Sequence, residues 1–118
     1  MTRLTLAAAL AATLLGGPAA AHTALAGSTP ASGSILAASP KEIVLTFKEP
    51  TRVASVSVEA GGQPERRLTV ATKGAARSVV IAEPRLAPGR NAVRWRAVSA
   101  DGHAVSGEIL IVIRPATR

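Results

Sequence analysis

The sequence predicts an all-β protein, a small immunoglobulin-like (Greek-key) β-sandwich of about seven strands. Two observations carry this prediction. Apolar and polar residues alternate in most segments after residue 40, with the period of two that half-buried strands show. Turns that contain glycine or proline separate these segments at intervals of about ten residues. No segment after residue 21 carries a convincing helical pattern.

The first predicted elements are a turn and an alternating strand. The segment STPASGS, residues 28–34, has the proline and glycine of a turn. In KEIVLTF, residues 41–47, alternate apolar residues from Ile43 to Phe47 share one face, which we expect to lie inward. We expect Pro50 to end this strand.

Three further strands are predicted in the middle of the chain. VASVSVEA is expected to turn Ala54, Val56 and Val58 inward. GGQPE, residues 61–65, is typical of a turn between hairpin strands. RLTVAT and SVVIAE are two short strand candidates that follow it.

The C-terminal third predicts two longer strands. After the loop EPRLAPGR, the segment NAVRWRAVSA alternates clearly, with Val93, Trp95 and Ala97 inward. Trp95 is expected to anchor the core. DGH, residues 101–103, is the next turn. The apolar run at residues 109–113 has apolar residues on both faces, which predicts a strand covered on both sides.

Residues 1–21 have the layout of a secretory signal peptide. Arg3 is a short basic start, Leu4–Leu15 is almost wholly apolar, and small residues end at Ala21. The apolar run of about 12 residues is shorter than the ~20 that a membrane-spanning helix needs. We therefore expect cleavage after Ala21 and export of residues 22–118 as one domain that does not span the membrane.

Composition argues against two classes of function. The chain has no cysteine, and its one methionine, Met1, leaves with the signal peptide, so no sulfur ligand remains. The formal net charge is +7, but Phe47 and Trp95 are the two aromatic residues, too few for a surface that stacks nucleic-acid bases. We expect a solvated basic surface and no nucleic-acid partner.

His22 gains a particular chemistry if the chain is cleaved after Ala21. An α-amine has a reference pKa near ~7.7–8.0 and can give up its proton to a metal ion. The free amine and the imidazole Nδ1 of His22 can then hold one metal ion together in a six-membered ring. An internal histidine cannot do this, because its amide nitrogen is not basic.

Asp101 and His103 are two further candidate donors. Two residues apart in extended or turn backbone, their side chains point the same way, and Gly102 permits a tight turn. With His22 they would supply three nitrogens and one oxygen, a set that suits Cu(II) or Ni(II), with Cu(II) bound most tightly. Zinc remains open, because the chelate does not forbid a tetrahedron. The spacing alone does not show that residue 22 lies near this segment. The alternatives are that His22 is part of a frayed N-terminus and that residues 101–103 are an exposed turn, neither of which binds a metal ion.

The mature chain resembles the CopC family of periplasmic copper-binding proteins. The resemblance covers residues 22–118 and rests on the start HTALAGSTPASGS, on VLTFKEP and on VRWRAVSADGHAVSGEILIVI. It implies a small β-sandwich in the periplasm that binds one Cu(II) ion and buffers, sequesters or delivers copper in resistance or homeostasis. It implies that His22, Asp101 and His103 are ligands.

The resemblance also marks two departures. Some family members add a glutamate from a TFSEP segment, which here reads TFKEP, so Glu49 is a candidate weaker or axial donor with Lys48 where serine is common. Other members bind Cu(I) through a methionine-rich loop that this chain lacks, which predicts a single Cu(II) site. Family members often act beside an inner-membrane copper transporter, which here would be a separate chain.

Three other functions were weighed against copper binding. A serine hydrolase could be composed of Ser99 or Ser106 with His103 and Asp101, but the GxSxG motif is absent. A histidine-brace oxidative enzyme would use His22 and a second histidine, but few aromatic residues exist to stack on sugar. A metal-free envelope adhesion module would use the basic surface. The sequence predicts no catalytic residue and no enzyme.

Overall fold

The computed structural model describes residues 24–116, and within them the protein is all-β. It has eight strands and, in this part of the chain, no helix. The strands are β1 (Leu25–Thr29), β2 (Ser34–Leu36), β3 (Glu42–Ala60), β4 (Arg66–Arg67), β5 (Thr69–Val70), β6 (Ala75–Ala82), β7 (Gly89–Ser99) and β8 (Ala104–Ile113). The all-β prediction is therefore confirmed. None of the described residues belongs to a helix that is long and apolar enough to cross a membrane.

The strands form one curled, mixed sheet. Its order is β2-β8-β7-β3-β6-β5, and β1 and β4 also pair with β3. All pairs are antiparallel except β2 with β8. The first half of β3 pairs with β1 and β6, and its second half pairs with β7 and β4. β3 is therefore shared by two parts of the sheet, one with β1 and β6 and one with β7 and β4. The sheet curls at β3, so that these two parts face each other across one core.

The prediction that Pro50 ends a strand was wrong. β3 runs without a break through Pro50 for 19 residues. The pairing of β3 with β6 is irregular between Thr46 and Thr51. Pro50 has no N–H to donate, and it lies in this irregular part, where the regular pattern of hydrogen bonds between the strands is interrupted. Proline therefore marks the bend at which β3 passes from one half of the sheet to the other.

The prediction for Ala54 was also wrong. Val56 and Val58 are buried as expected, but Ala54 is exposed and Val53 is half-buried. The register between β3 and β7 shifts between Val53 and Ser55. A β-bulge adds one residue to a strand and reverses the facing of the residues before it.

The turn predicted at residues 28–34 is shorter in the structure, where residues 30–33 connect β1 and β2, two strands that the sequence did not predict. Their segments, LAGST and SIL, are too short for alternation to show. β1 pairs with β3 and β2 pairs with β8, so both are stabilised by partners distant in sequence.

The core contains the inward-facing residues predicted from alternation. Fully buried side chains come from β3, β6, β7 and β8 and form one cluster; among them are Ile43, Leu45, Phe47, Val93, Trp95, Ala97, Ile109, Ile111 and Ile113. Trp95 is 2% exposed, and its ring meets that of Phe47 edge to face with centroids 5.2 Å apart. The role of Trp95 as a core anchor is confirmed. The second face of β8 is less covered than predicted, because Leu110 and Val112 are only half-buried.

Candidate metal centre

The turn between β7 and β8 places Asp101 and His103 at one end of the sheet. Backbone hydrogen bonds close this turn: Ser99 N–H donates to His103 O and Gly102 N–H donates to Ser99 O, both at 2.9 Å. Gly102 has φ of +89°, a conformation that side chains with a Cβ rarely adopt. The DGH turn predicted from the sequence is therefore present, and its glycine is required by the backbone.

Asp101 and His103 form a pair on the solvent side of this turn. His103 Nδ1 lies 2.9 Å from Asp101 Oδ2, and the side chains are 79% and 66% exposed for His103 and Asp101 respectively. The backbone N–H of His103 also donates to Asp101 Oδ1 at 3.2 Å. The pair is therefore fixed by its own turn and open to solutes.

The spacing of this pair matches what one metal ion would need. Two adjacent ligands of a tetragonal site, each about 2.0–2.1 Å from the metal, lie about 2.8–3.0 Å apart. The separation of His103 Nδ1 from Asp101 Oδ2 falls in this range. The same separation is normal for a hydrogen bond, and an ion bound by both atoms would lie to one side of the line between them, so the His103 ring would have to turn toward it.

The hydroxyl of Ser99 holds the carboxylate of Asp101 in its ionised form. It donates to Asp101 Oδ1, and this bond is the largest cause of a pKa for Asp101 lowered from 3.8 to about 2; hydrogen bonds from His103 add to it. A hydrogen bond to a charged carboxylate favours that form. Asp101 is therefore an anionic donor at any pH well above 2.

Removing this hydroxyl should raise the pKa of Asp101. In Ser99→Ala, we expect the pKa to move from about 2 back toward 3.8, because the largest stabilising hydrogen bond of the carboxylate is lost. Carbon-detected NMR of the Asp101 carboxyl group during an acid titration measures it. Ser106→Ala, an exposed serine of β8, is the control and should leave the Asp101 titration unchanged. Equal Asp101 curves for wild type and Ser99→Ala would contradict the assignment.

Glu49 lines the same open depression as Asp101 and His103. It belongs to the bend of β3, where Thr51 Oγ1 donates to the carbonyl of Glu49 at 2.8 Å. The lining of the depression comes from the residue before β1, from β3, β7 and β8, and from the turn: Ala24, Lys48, Glu49, Thr51, Ser99, Asp101, His103 and Val105. Within residues 24–116, no three histidine, cysteine, aspartate or glutamate side chains converge as a ready metal cluster.

The N-terminal end of the described chain also reaches this depression. Ala24 lines it, and the backbone N–H of Lys48 donates to Ala24 O at 3.0 Å. His22, the fourth candidate ligand, lies outside the described residues, as does the predicted cleavage point after Ala21. The structure thus pairs Asp101 with His103 and places Glu49 on the lining of the same depression, without a contact to the pair. Ala24, two residues after His22, lines it as well.

The geometry opposes a hydrolase in which Ser99 is the nucleophile. In a catalytic triad the histidine lies between serine and aspartate, so that its ring accepts the serine proton. Here Asp101 lies between the other two, because Ser99 donates to Oδ1 and His103 contacts Oδ2. Ser99 is a supporting residue for the carboxylate and has no contact with the imidazole that would activate it.

Two supporting residues were missed by sequence reasoning. Ser99 orients Asp101, and Thr51 fixes the backbone of Glu49. A serine two residues before an aspartate at a glycine turn is a local signal of such a bond. No local signal exists for Thr51, because its importance depends on the bend of β3 lying beside the β7–β8 turn.

The comparisons with family models and with solved structures indicate one family. The sequence model of the CopC domain matches residues 25–113. The crystal structure of CopC from Methylosinus trichosporium OB3b is similar, with 25% identity, a TM-score of 0.68, and coverage of 82% of this chain and 98% of that one. PcoC, a methionine-rich copper resistance protein from Escherichia coli, is 28% identical with a TM-score of 0.60, covering 80% of this chain and 100% of its own. No curated protein sequence matches this chain.

Proposed function

The chain belongs to the CopC family of non-enzymatic copper-binding proteins, and from this premise we propose that it binds a single Cu(II) ion in the periplasm. It would buffer, sequester or deliver copper in resistance or homeostasis. The observation that carries the proposal is that Glu49, Asp101 and His103 line one open depression, which Ala24, two residues after His22, also lines. The membership in a non-enzymatic family argues against the oxidative enzyme weighed above.

His22 supplies the nitrogen-rich half of the proposed site. Ala24, which lines the depression, is two residues after His22, and two residues of extended chain span up to about 7 Å, which is enough for His22 to reach the pair. Cleavage after Ala21 exposes its α-amine, and the amine and imidazole chelate the ion. With Asp101 and His103 the donor set is three nitrogens and one oxygen, which suits a tetragonal Cu(II) ion.

Glu49 is proposed as a weaker, axial oxygen donor. It lines the depression beside the pair, and it is exposed and able to move. Lys48 lines the same depression, so its ammonium group opposes a bound cation and offsets part of the attraction of Glu49. No methionine follows Met1, in contrast to the methionine-rich PcoC, which supports a site without sulfur.

Copper is captured at equilibrium, and protons compete for the same donors. Asp101, with a pKa of about 2, stays ionised as the solution becomes acidic. Acid release of copper therefore begins at the nitrogen donors. The site is open at one end of the sheet, so a membrane transporter that is a separate chain could approach it and exchange copper with it.

The decisive experiment changes only the N-terminus. The form that begins at His22 and a form with Met-Ala added before it are titrated with Cu(II) and compared by EPR. The extension converts the amine of His22 to an amide, so we expect loss of the nitrogen-rich spectrum and an affinity lower by at least about tenfold.

A form with Met-Ala added at the C-terminus is the matched control, since it has the same composition and a free His22 amine. It should reproduce the spectrum of the unextended form. Identical spectra for all three forms would remove the terminal amine from the site. Mass spectrometry of the exported protein tests the cleavage point separately, and a first residue other than His22 would contradict it.

A further inference from the structure

The outer face of the sheet carries a second group of polar side chains, away from the metal centre. Ser57 of β3 lies opposite Arg67 of β4, and Ser55 of β3 lies opposite Arg96 of β7. Ser55 and Ser57 are two residues apart in the strand, so their side chains share one face. The two arginines flank these hydroxyls, with Cα atoms about 12 Å apart from strand spacing and rise.

These residues line an open depression in the face. Its lining is Ser55, Ser57, Glu65, Arg66, Arg67 and Arg96, and its volume is about 410 Å³. The length of an arginine side chain allows both guanidinium groups to reach the centre from the two sides. The space admits a phosphoryl group and the first atoms of its substituent.

The acidic residues near this depression already have cationic or hydroxyl partners. Arg94 contacts three of them: Glu59 at 2.8 Å, Glu108 at 3.3 Å and Glu65 at 3.9 Å. Glu65 also accepts a hydrogen bond from the hydroxyl of Ser57. The one carboxylate that lines the depression is therefore partly compensated by Arg94 and Ser57.

The arginines of the depression have different roles. Arg66 Nη2 donates to the backbone carbonyls of Pro84 and Arg85, at 2.8 and 2.7 Å, and so ties β4 to the loop before β7. Within the part of the chain that the structure describes, neither Arg67 nor Arg96 forms an ion pair. Two guanidinium groups and the hydroxyl of Ser55 therefore remain available to an anion.

We propose that Arg67, Arg96 and Ser55 bind a terminal phosphoryl group with three free oxygens, from free phosphate or from a lipid whose headgroup is a phosphate monoester. The planar fork of a guanidinium matches two phosphate oxygens, and two such forks with a hydroxyl use the three free oxygens of a phosphate monoester. A carboxylate has only two oxygens to offer. The site lies on β3, β4 and β7 outside the metal depression, so it does not depend on copper.

Two-dimensional NMR of the purified, metal-free protein tests the proposal. Inorganic phosphate is added at constant pH and ionic strength, and the arginine Nε–H and backbone amide signals are followed. We expect saturable shifts at Arg67, Arg96 and Ser55. Equal concentrations of acetate should cause much smaller shifts. Shifts that are absent, linear in phosphate, or equal at all exposed arginines would overturn the proposal.

Variants and vesicles give independent readings. Arg67→Gln and Arg96→Gln should each weaken phosphate binding about tenfold, the loss of one charge-assisted contact. Arg77→Gln, an exposed arginine of β6, is the matched control and should change it less than about twofold. Binding to phosphatidic acid vesicles that free phosphate displaces assigns a lipid source, and saturable phosphate binding without vesicle binding assigns a soluble one. A tenfold loss in Arg77→Gln as well would contradict the site.

Discussion

Replacing His103 by alanine is expected to lower the Cu(II) affinity of the form that begins at His22 by about 100-fold or more, if the proposed site is correct. Residues that merely orient a ligand cost 10–100-fold when mutated, and a lost ligand costs at least as much. The fold should be unchanged, because the His103 side chain is 79% exposed and its contacts lie within its own turn. Competition with a chelator of known Cu(II) affinity measures the effect.

Two further variants test whether the loss of affinity is specific to the candidate ligands. Asp101→Asn keeps the shape of the side chain but removes its charge, and we expect it to weaken Cu(II) binding by at least about tenfold. Ser106→Ala changes a neighbouring exposed residue of β8 and should have no effect. An unchanged affinity in both His103→Ala and Asp101→Asn would remove the turn from the metal site, while leaving the family membership intact.

Replacing Gly107 by alanine destabilises the fold by about 2–3 kcal/mol, the upper part of the range for overpacking a core. A Cβ at Gly107 would lie 2.6 Å from Trp95 Cζ2 and 2.8 Å from Trp95 Cε2, closer than real carbon atoms approach. The indole cannot move away freely, because Trp95 is buried and packed edge to face against Phe47. Urea unfolding followed by circular dichroism measures the free energy.

Gly27→Ala is the matched control for this prediction. Gly27 also lies in a strand, β1, but nothing approaches within 4 Å of the Cβ that alanine would add there. It should change the unfolding free energy by less than about 0.5 kcal/mol. In a Trp95→Phe background, which lacks the atoms of the clash, Gly107→Ala should cost less than in wild type. An equal cost in both backgrounds would show that the indole is not the cause.

The two predictions concern different parts of one short segment. Residues 101–103 form a turn whose side chains point to solvent, and residues 105–113 alternate into the core. The metal-binding variants should therefore change affinity without changing stability, and the Gly107 variant should do the reverse. This separation follows from exposure, since the candidate ligands contribute little to packing.

Alternation predicted most of the core correctly. The inward residues of β7 and β8 and the first half of β3 are buried as expected, because side chains on a strand point to opposite faces with a period of two. Alternation wrongly predicted that Ala54 is buried, because a bulge shifts the register there. It also failed to reveal β1 and β2, whose pairing depends on distant strands.

The pairing of Asp101 with His103 could be predicted from the sequence alone. Their turn depends on local backbone geometry and on Gly102, which has a positive φ. The pairing of distant strands places Glu49 and Ala24 beside that turn, although they are some 50 and 75 residues away in sequence. The physical reason is that local periodicity sets which face of a strand is buried, whereas the bend of β3 at Pro50 and the pairing of β1 with β3 set which strand ends meet.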